Sequence, residues 1–151
     1  MACAIRQATI HDLDQLVPLF DSYRQFYSKP SDLTLARTFL TERFQHNQSV
    51  IFIALNSEGN GIGFVQLYPS FSSVRAARTF VLNDLFVAPD WRRHRVARQL
   101  MQAAVDYSRA VGAVRMSLST ALTNTAAQAL YESCGWQRDQ TFCEYQLTLK
   151  S

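Results

Sequence analysis

The sequence of 151 residues predicts an α/β fold, a mixed sandwich of one sheet and several helices in a single domain, residues 1–151. Segments with alternating apolar residues and segments with apolar residues at helical spacing follow each other in the order β-α-α-β-β-β-α-β-α-β. Residues 77–87 form a nearly continuous apolar run, which is typical of a central strand covered on both faces. A helical segment and another strand follow it, and such a crossover places the two strands in parallel.

The first half of the chain carries two helical segments. Thr9 or His11 can cap the first, whose apolar residues recur at helical spacing. Pro18 falls inside this pattern, and because proline removes a backbone donor we expect a kink or a split there. Ser31 or Asp32 can cap the second helix. The other elements predicted here are strands at residues 4–8, 50–55 and 63–68, a hairpin turn at 56–61 and a polar loop at 69–75.

The second half alternates helices and strands after the central strand. The predicted elements are a helix from residue 96 to Gly112, a strand at 114–119, a helix capped by Thr123 or Asn124 and ended by Gly135, and a strand in one or two parts at 136–149. The last of these rests on alternating apolar residues.

Composition excludes several classes of function. The chain is 48% apolar, enough for a core of ordinary size, but no run of about 18 apolar residues is present, so no segment is predicted to cross a membrane. The first residues match neither a secretion signal nor a myristoylation motif, and we therefore expect a cytoplasmic protein. The net charge of +3 is too small to indicate a nucleic-acid partner.

The cysteines and histidines indicate no metal site. Cys3, Cys134 and Cys143 show no Cys-x-x-Cys spacing, so we expect reduced thiols in place of a disulfide framework or a zinc site. His11 and His46 also lack the spacing of metal ligands.

The most informative segment runs from residue 82 to residue 97. It leaves an apolar strand through a Pro-Asp turn and opens a helix, and four of the fifteen basic residues lie between Arg92 and Arg98. A helix start offers unpaired N–H groups and the positive end of a dipole, so it is suited to bind a phosphate. Neither a P-loop motif nor a Rossmann fingerprint is present.

The acyl-CoA loop of the GNAT superfamily of N-acetyltransferases resembles the run Arg92-Arg93-His94-Arg95-Val96-Ala97. The family pattern is Gln or Arg, two residues of any kind, Gly, one residue of any kind, then Gly or Ala. Arg95 stands where the family has glycine, so its side chain must point outward or reach a phosphate. Residues 124–136 are similar to a second family segment, Asn-x-x-Ala-x-x-Leu-Tyr-x-x-x-Gly followed by Phe or Trp.

This resemblance implies a mostly antiparallel sheet with a splayed parallel central pair of strands and helices on both faces. It also implies an enzyme that transfers an acetyl group from acetyl-CoA directly to a primary amine in a ternary complex, with no metal. The residues that it assigns to the coenzyme are the loop residues Arg92, Arg93, His94, Arg95, Val96 and Ala97, the strand residues Leu85, Phe86 and Val87, and Asn124.

For catalysis the resemblance assigns Tyr131 as the general acid that protonates the leaving thiolate. Core packing is the alternative for Tyr131, and a helix cap is the alternative for Asn124. Asp84 is the first candidate for the general base, acting directly or through water, and an ion pair with an arginine is its alternative.

The acceptor is less clearly defined by the sequence. Tyr27, with Tyr23 and Phe26, is expected near the acceptor entrance, where aromatic rings could receive a cationic amine. Asn83 and Asp84 are candidate acceptor-binding residues, since their segment is similar to the acidic strand of diamine acetyltransferases, which usually carry glutamate at the Asn83 position. The acceptor could be a small amine, a polyamine or a lysine of a peptide or protein.

Two alternatives stay open at this level. A GNAT-like domain without catalysis could bind coenzyme or a protein partner as a sensor, and Arg95 is the residue that favours this hypothesis. A homodimer through the final strands is common in such folds, and no residue decides for or against it.

Overall fold

The structure is a computed structural model that describes residues 2–150, and its first unit, which ends at Ser119, is built on a five-stranded sheet. The strands are β1 (Ala4–Gln7), β2 (Val50–Leu55), β3 (Gly61–Ser72), β4 (Ala77–Val87) and β5 (Arg115–Ser117). They lie in that order across the sheet; β1 to β4 are antiparallel neighbours, and β4 and β5 are parallel. The predicted α/β class, with a mostly antiparallel sheet and one parallel pair, is confirmed.

Three helices belong to this unit: α1 (Leu13–Phe26), α2 (Leu33–Gln45) and α3 (Val96–Ala110). A short 3-10 turn, Ile10–Asp12, precedes α1, and Thr9 caps it through a reciprocal pair of hydrogen bonds. Asp32 caps α2, since its Oδ1 accepts from the backbone N–H of Leu35 at 3.0 Å.

Helices cover both faces of the sheet. Side chains alternate between the two faces along a strand, so Ile53 and Phe52 of β2 point in opposite directions. Ile53 belongs to a buried cluster with Leu16 of α1 and Leu40 of α2. The ring of Phe52 contacts Tyr107 of α3, with centroids 5.7 Å apart. Therefore α1 and α2 pack on one face and α3 packs on the other, as predicted.

Pro18 does not split α1, contrary to one of the two expected outcomes. The helix is continuous from Leu13 to Phe26, and the face that contains Leu16, Val17 and Phe20 is buried. A proline inside a helix costs about 3 kcal/mol, whereas burial of each such side chain contributes about 1.5–3 kcal/mol. Packing of three side chains therefore outweighs the lost hydrogen bond.

The third strand is longer than predicted, since β3 runs through Pro69 to Ser72 where a loop was expected. Val50, the first residue of β2, pairs with Leu67, so Pro69 lies beyond the end of β2 and pairs only with Phe80 of β4. Proline is tolerated in a strand where one edge has no neighbour, because no ladder N–H is required there.

The second unit begins at Thr120 and contains α4 (Thr125–Ser133). Residues 136–150 form no helix or strand, so the strand predicted at 136–149 is wrong. The alternating apolar residues of that segment are between 79% and 92% exposed: Phe142, Tyr145, Leu147 and Leu149. Alternation specifies the two faces of a strand, but a strand forms only where a neighbour completes its hydrogen bonds.

One buried carboxylate holds the connection between α1 and α2. Asp21 is 4% exposed, and its Oδ2 accepts from Ser31 Oγ at 2.6 Å and from Gln25 Nε2 at 3.0 Å. Its Oδ1 accepts from the backbone N–H of Asp32 at 2.8 Å. The hydrogen bond from Ser31, together with those from Asp32 and Gln25 and the charge of Arg24, lowers the pKa of Asp21 in spite of its burial.

We predict that Asp21→Asn destabilises the protein by about 1–3 kcal/mol at neutral pH, because an amide turns hydrogens toward groups that already donate. The folded-state pKa of Asp21 is lowered, so its stabilisation is complete above the unfolded value near 4 and is lost as the pH falls through the folded value. The difference between the variant and the wild type should therefore shrink below about pH 4. Urea unfolding near pH 7 and near pH 3 measures it.

The matched control is Asp14→Asn, on the same helix. Asp14 pairs with Arg37 at 2.7 Å, but its side chain is 90% exposed, and exposed pairs contribute little. Equal losses of stability in the two variants would contradict the role given to Asp21.

Candidate functional site

The fourth strand contains a β-bulge at Asn83. Gln66 of β3 pairs with Asp84, whereas Leu67 pairs with Leu82, so Asn83 is an extra residue on β4. Bulges bend a strand and redirect its side chains, and they are frequent beside functional sites. The bulge therefore marks the part of β4 in which a site is expected.

The two parallel strands separate at the same place. Pairing of β4 with β5 ends at Val81 and Ser117, whereas β4 continues to Val87. Apart from the bulged Asn83, residues 82–87 keep their pairing with β3, but they have no β5 residue beside them. The splayed parallel pair that the resemblance implies is thus present, and one edge of residues 82–87 is left without a strand of this unit.

Asp84 is a buried carboxylate on the bulged part of the strand, 3% exposed. Gln66 Nε2 donates to its Oδ2, and Asn83 Nδ2 donates to its Oδ1 at 2.8 Å. Burial raises the pKa of Asp84 above its usual range, although hydrogen bonds from Gln66, Asn83 and Tyr23 favour the anion. Gln66 Oε1 is buried and has no hydrogen-bond partner among residues 2–150. The amide nitrogen of Gln66 therefore faces the carboxylate of Asp84, and the amide oxygen is left without a donor.

Asp84 lines a cleft of about 420 Å³, a volume suited to a small molecule. The cleft lies between α1, α2 and the strands β3 and β4. Most of its walls are apolar or aromatic, and its lining residues are Phe20, Tyr23, Arg24, Tyr27, Lys29, Leu35, Phe39, Tyr68, Asn83 and Asp84. An aromatic cleft with one buried carboxylate is suited to receive a cationic group.

Two tyrosines of the cleft stay protonated at neutral pH. Tyr23 Oη donates to the backbone carbonyl of Asn83 at 3.3 Å. Burial and the neighbouring charge of Asp84 raise the pKa of Tyr23 far above its usual value. The same two causes raise the pKa of Tyr68 to about 12. Both phenols therefore remain neutral hydroxyl groups beside the carboxylate.

The loop that precedes α3 has an unusual backbone. Arg93 and Arg95 have φ values of +65° and +62°, in the left-handed region that favours glycine. Left-handed residues in a turn can direct neighbouring N–H groups toward one point, where an anion can bind. The N–H groups of Val96 and Ala97 lie in the first turn of α3 and have no partner in a preceding turn. Both features are suited to an anion, and the coenzyme role of the loop stays a prediction.

Arg95 adopts a left-handed conformation, which glycine adopts without strain. It has φ +62° and ψ +18° at the N-cap of α3, and its side chain is exposed. Exposure of this side chain agrees with both expected outcomes, and the contact of Arg95 with a phosphate stays a prediction.

Arg92 connects this loop to the end of β4. Its Nε donates to the carbonyl of Val87 at 3.0 Å, and its guanidinium carbon lies 5.6 Å from the ring centroid of Phe86 and 5.9 Å from that of Phe26. Arg92 therefore fixes the position of the loop, in addition to any contact with a phosphate.

The remaining two predicted residues lie in the second unit. Asn124 Oδ1 accepts from the backbone N–H of Ala127 at 3.1 Å, so Asn124 caps α4. The ring of Tyr131 lies 6.4 Å from that of Trp136, centroid to centroid. The coenzyme role of Asn124 and the acid role of Tyr131 stay predictions.

Three residues that the sequence assigned to the acceptor, Tyr27, Asn83 and Asp84, line the same cleft. Sequence analysis missed Gln66 and Tyr68. A single polar residue within the apolar segment of β3 is the signal that could have identified Gln66, but only the strand register places it opposite Asp84.

The structure adds three observations on the wider chemistry. Among residues 2–150, no group of three or more His, Cys, Asp or Glu side chains could hold a metal ion. Of the helices described, none is long and apolar enough to cross a membrane. The cysteines Cys3, Cys134 and Cys143 are all free thiols.

Solved structures share this fold along almost the whole chain. A crystal structure of a probable acetyltransferase has a TM-score of 0.94 and 45% sequence identity, and the match covers 98% of this chain and 99% of the other. The aminoglycoside N-acetyltransferase AAC(6')-Iy, solved in complex with CoA, has a TM-score of 0.78 at 24% identity, over 97% of this chain and 95% of the other. This second likeness is one of fold.

Related sequences agree with the structural match. YhfO of Bacillus subtilis (strain 168), an uncharacterized N-acetyltransferase, is 44% identical over 145 residues, which are 96% of this chain and 97% of the relative. A probable acetyltransferase of Haemophilus influenzae is 34% identical over 96 residues, 64% of this chain and 66% of that protein. The family model described as acetyltransferase (GNAT) family matches residues 15–136. The chain therefore belongs to the GNAT family of acetyltransferases.

Proposed function

We propose that this acetyltransferase moves the acetyl group of acetyl-CoA to a primary amine that enters the cleft at Asp84, by direct attack in a ternary complex. The observation that supports the proposal is the buried carboxylate of Asp84 on an aromatic cleft, at the place where β4 separates from β5. A carboxylate attracts an ammonium ion and can also accept its proton.

The amine must lose a proton before it can attack, because an ammonium nitrogen has no free electron pair. In the proposed step one proton moves from the ammonium group to Asp84, directly or through water, and the amine forms a C–N bond at the acetyl carbon. The C–S bond then breaks, the leaving thiolate takes a proton from the general acid, and the second proton lost by the nitrogen restores that acid. A carboxylate of ordinary pKa is a weak base, and burial raises the pKa of Asp84 toward the range in which a general base is effective. Asn83 and Gln66 hold its two oxygens in fixed directions.

Acetyl-CoA supplies the acetyl group, and the loop before α3 fits its phosphates. The N–H groups of Val96 and Ala97 and the left-handed residues Arg93 and Arg95 support phosphate binding there, with His94 in the same loop. In the strand, the backbone of residues 85–87 has no β5 neighbour, which supports the proposal that it holds the pantetheine arm. The carbonyl of Val87 already accepts from Arg92, so the other backbone groups of residues 85–87 would bind the pantetheine arm.

Two further roles rest on the family resemblance alone. We propose Tyr131 as the acid that protonates the departing thiolate and Asn124 as a ligand of the coenzyme arm. The family match at residues 15–136 runs across the boundary at Ser119, which supports one acetyltransferase domain made of both units. We also propose a cytoplasmic enzyme, in agreement with the cysteine spacing, which indicates reduced thiols.

We predict that Asp84→Asn lowers kcat/KM for amines by about 10²- to 10⁴-fold, the range for loss of a general base, with little change in acetyl-CoA affinity. The rate of the wild type should rise with pH as Asp84 loses its proton. Since the pKa of Asp84 is raised, this rise should lie above the ordinary value near 4. Initial rates of CoA release across pH measure both effects.

Gln66→Leu and Asp106→Asn complete the test of Asp84. Loss of the Gln66 donor favours the neutral carboxyl further, so the rise in rate should move to higher pH. Asp106 is exposed on α3, and its substitution should leave the profile in place. A profile that is the same in Asp84→Asn as in the wild type would contradict the base assignment.

We predict that Tyr131→Phe lowers kcat about a hundredfold or more while the affinity for acetyl-CoA changes little, because only the proton donor is removed. Tyr145→Phe is the matched control, since Tyr145 is 92% exposed in the same unit. An unchanged kcat in Tyr131→Phe would remove the acid role.

We predict that Arg95→Gly binds acetyl-CoA within about threefold of the wild type and is more stable by about 1 kcal/mol, because glycine adopts positive φ without strain. Thermal unfolding with acetyl-CoA, CoA and ATP measures both quantities. A ligand at about 100 Kd should add roughly 2.7 kcal/mol, and ATP should add little.

Arg95→Ala separates charge from conformation, since it removes the guanidinium but keeps the left-handed strain. A loss of acetyl-CoA affinity of more than tenfold in both variants would show that the side chain of Arg95 binds a phosphate. Stabilisation by both CoA species with no acetylation of any amine would favour a coenzyme-binding sensor.

A further inference from the structure

The charges of the cleft do not match a simple amine. Asp84 is the carboxylate that lines it, and Arg24 and Lys29 line it as well. A polyamine, with several positive charges and no negative one, would be attracted by Asp84 and repelled by Lys29 and by Arg24, although Arg24 also interacts with the charge of Asp21. A matching ligand needs one positive and one negative group.

Arg24 has hydrogen-bonding capacity that the described protein does not use. Its Nη1 is buried and has no hydrogen-bond partner among residues 2–150. The nearby carboxylate of Asp21 already accepts three hydrogen bonds, from Ser31, Asp32 and Gln25. A buried donor without a partner is unfavourable, so an anion that accepts from Arg24 would bind with a gain.

The two cations are held close together by the backbone. Arg24 lies in the last turn of α1, and the N–H of Lys29 donates to the carbonyl of Arg24 at 3.0 Å. Ser28, between them, has φ +67°, which turns the chain back on the helix end. The contacts of Asp21 with Ser31 and Asp32 then fix the chain beyond the turn. The backbone of both residues is thus fixed at the cleft wall, and their side chains line the cleft.

We infer that the acceptor is a small amine that also carries an anionic group, a carboxylate or a phosphate. The amine lies at Asp84 and the anionic group at Arg24 and Lys29, with the aromatic side chains of the cleft, such as Tyr23, between them. The planar guanidinium of Arg24 suits both kinds of anion, since it can donate two parallel hydrogen bonds. This inference rests on the proposed function and specifies the class of its substrate.

The test compares matched amines in the acetylation assay. The pairs are γ-aminobutyrate with butylamine, ε-aminocaproate with hexylamine, and phosphoethanolamine with ethanolamine, and spermidine is added as a polyamine. The wild type should acetylate an acidic member of at least one pair with a kcat/KM at least about tenfold above its neutral partner, the factor for one charge-assisted hydrogen bond. The carboxylate pairs and the phosphate pair identify which anion is preferred.

The variant Arg24→Gln should reduce the ratio of kcat/KM between the acidic and neutral members about tenfold, mainly through KM. Lys29→Gln should reduce it less, because Lys29 is exposed. Arg37→Gln is the matched control: Arg37 lies on α2, pairs with Asp14 and does not line the cleft, so the ratio should not change. Thermal stabilisation by γ-aminobutyrate, present in the wild type and lost in Arg24→Gln, gives a readout without turnover.

The outcomes separate the two proposals. Acetylation of butylamine, hexylamine, ethanolamine or spermidine at least as efficient as that of every acidic amine would overturn the anionic acceptor and leave the proposed function standing. An acidic preference that survives Arg24→Gln would also overturn it. Failure to acetylate any compound of the panel, with acetyl-CoA bound, would overturn the proposed function and this inference with it.

Discussion

Burial of Asp84 depends on the amide of Gln66, which stands opposite it across the β3–β4 pairing. A carboxylate in an apolar interior is unfavourable unless donors surround it, and here amides donate to both of its oxygens. The arrangement has a cost, since Gln66 Oε1 is left buried without a partner, and such a group costs about 1–3 kcal/mol. A pair optimised for stability alone would avoid that cost. The position of Asp84 also depends on the bulge at Asn83, because the bulge brings Asp84 into register with Gln66.

The protein contains two buried aspartates whose pKa values move in opposite directions. Asp21 accepts three hydrogen bonds, and their sum, with the charge of Arg24, outweighs burial and lowers its pKa. For Asp84 burial is the largest cause and exceeds the effect of its hydrogen bonds, so its pKa rises. Asp21 is therefore suited to hold the α1–α2 connection in one charged state. Asp84 is suited to exchange a proton, which is what a base requires.

Much of the fold could be predicted from the sequence, because its local patterns agree with the tertiary structure. Periodicity and turn chemistry predict the long apolar strand 77–87, the caps Asp32 and Asn124, and the end of α3 shortly before Gly112. The failures lie where tertiary contacts decide. Packing keeps α1 continuous, and the end of β2 permits proline in β3. Alternation at 136–149 is present, but no strand forms there.

In the candidate site, too, the sequence identifies some residues, whereas others are identified only by tertiary structure. Asp84 and Asn83 could be identified from a resembling segment, and Tyr27 from its position, because these residues are contiguous with recognisable motifs. Gln66 could not be identified in the same way, since its role comes from strand register. Arg24 and Lys29 become neighbours only through the turn at Ser28, which sequence spacing alone does not fix.

In the loop before α3, a position requires a backbone conformation without requiring one residue type. Arg93 and Arg95 both have positive φ, which costs an L-residue about 1–2 kcal/mol each. The ends of the loop hold this backbone in place, with Arg92 bound to Val87 on one side and α3 beginning at Val96 on the other. Charge-assisted hydrogen bonds to an anion contribute about 1.5–3 kcal/mol each, so a few of them from this backbone to the proposed anion would exceed the strain. Arginine at position 95 can thus hold the left-handed backbone that glycine would hold, and the proposed anion site needs the N–H groups of that backbone and not the absence of a side chain.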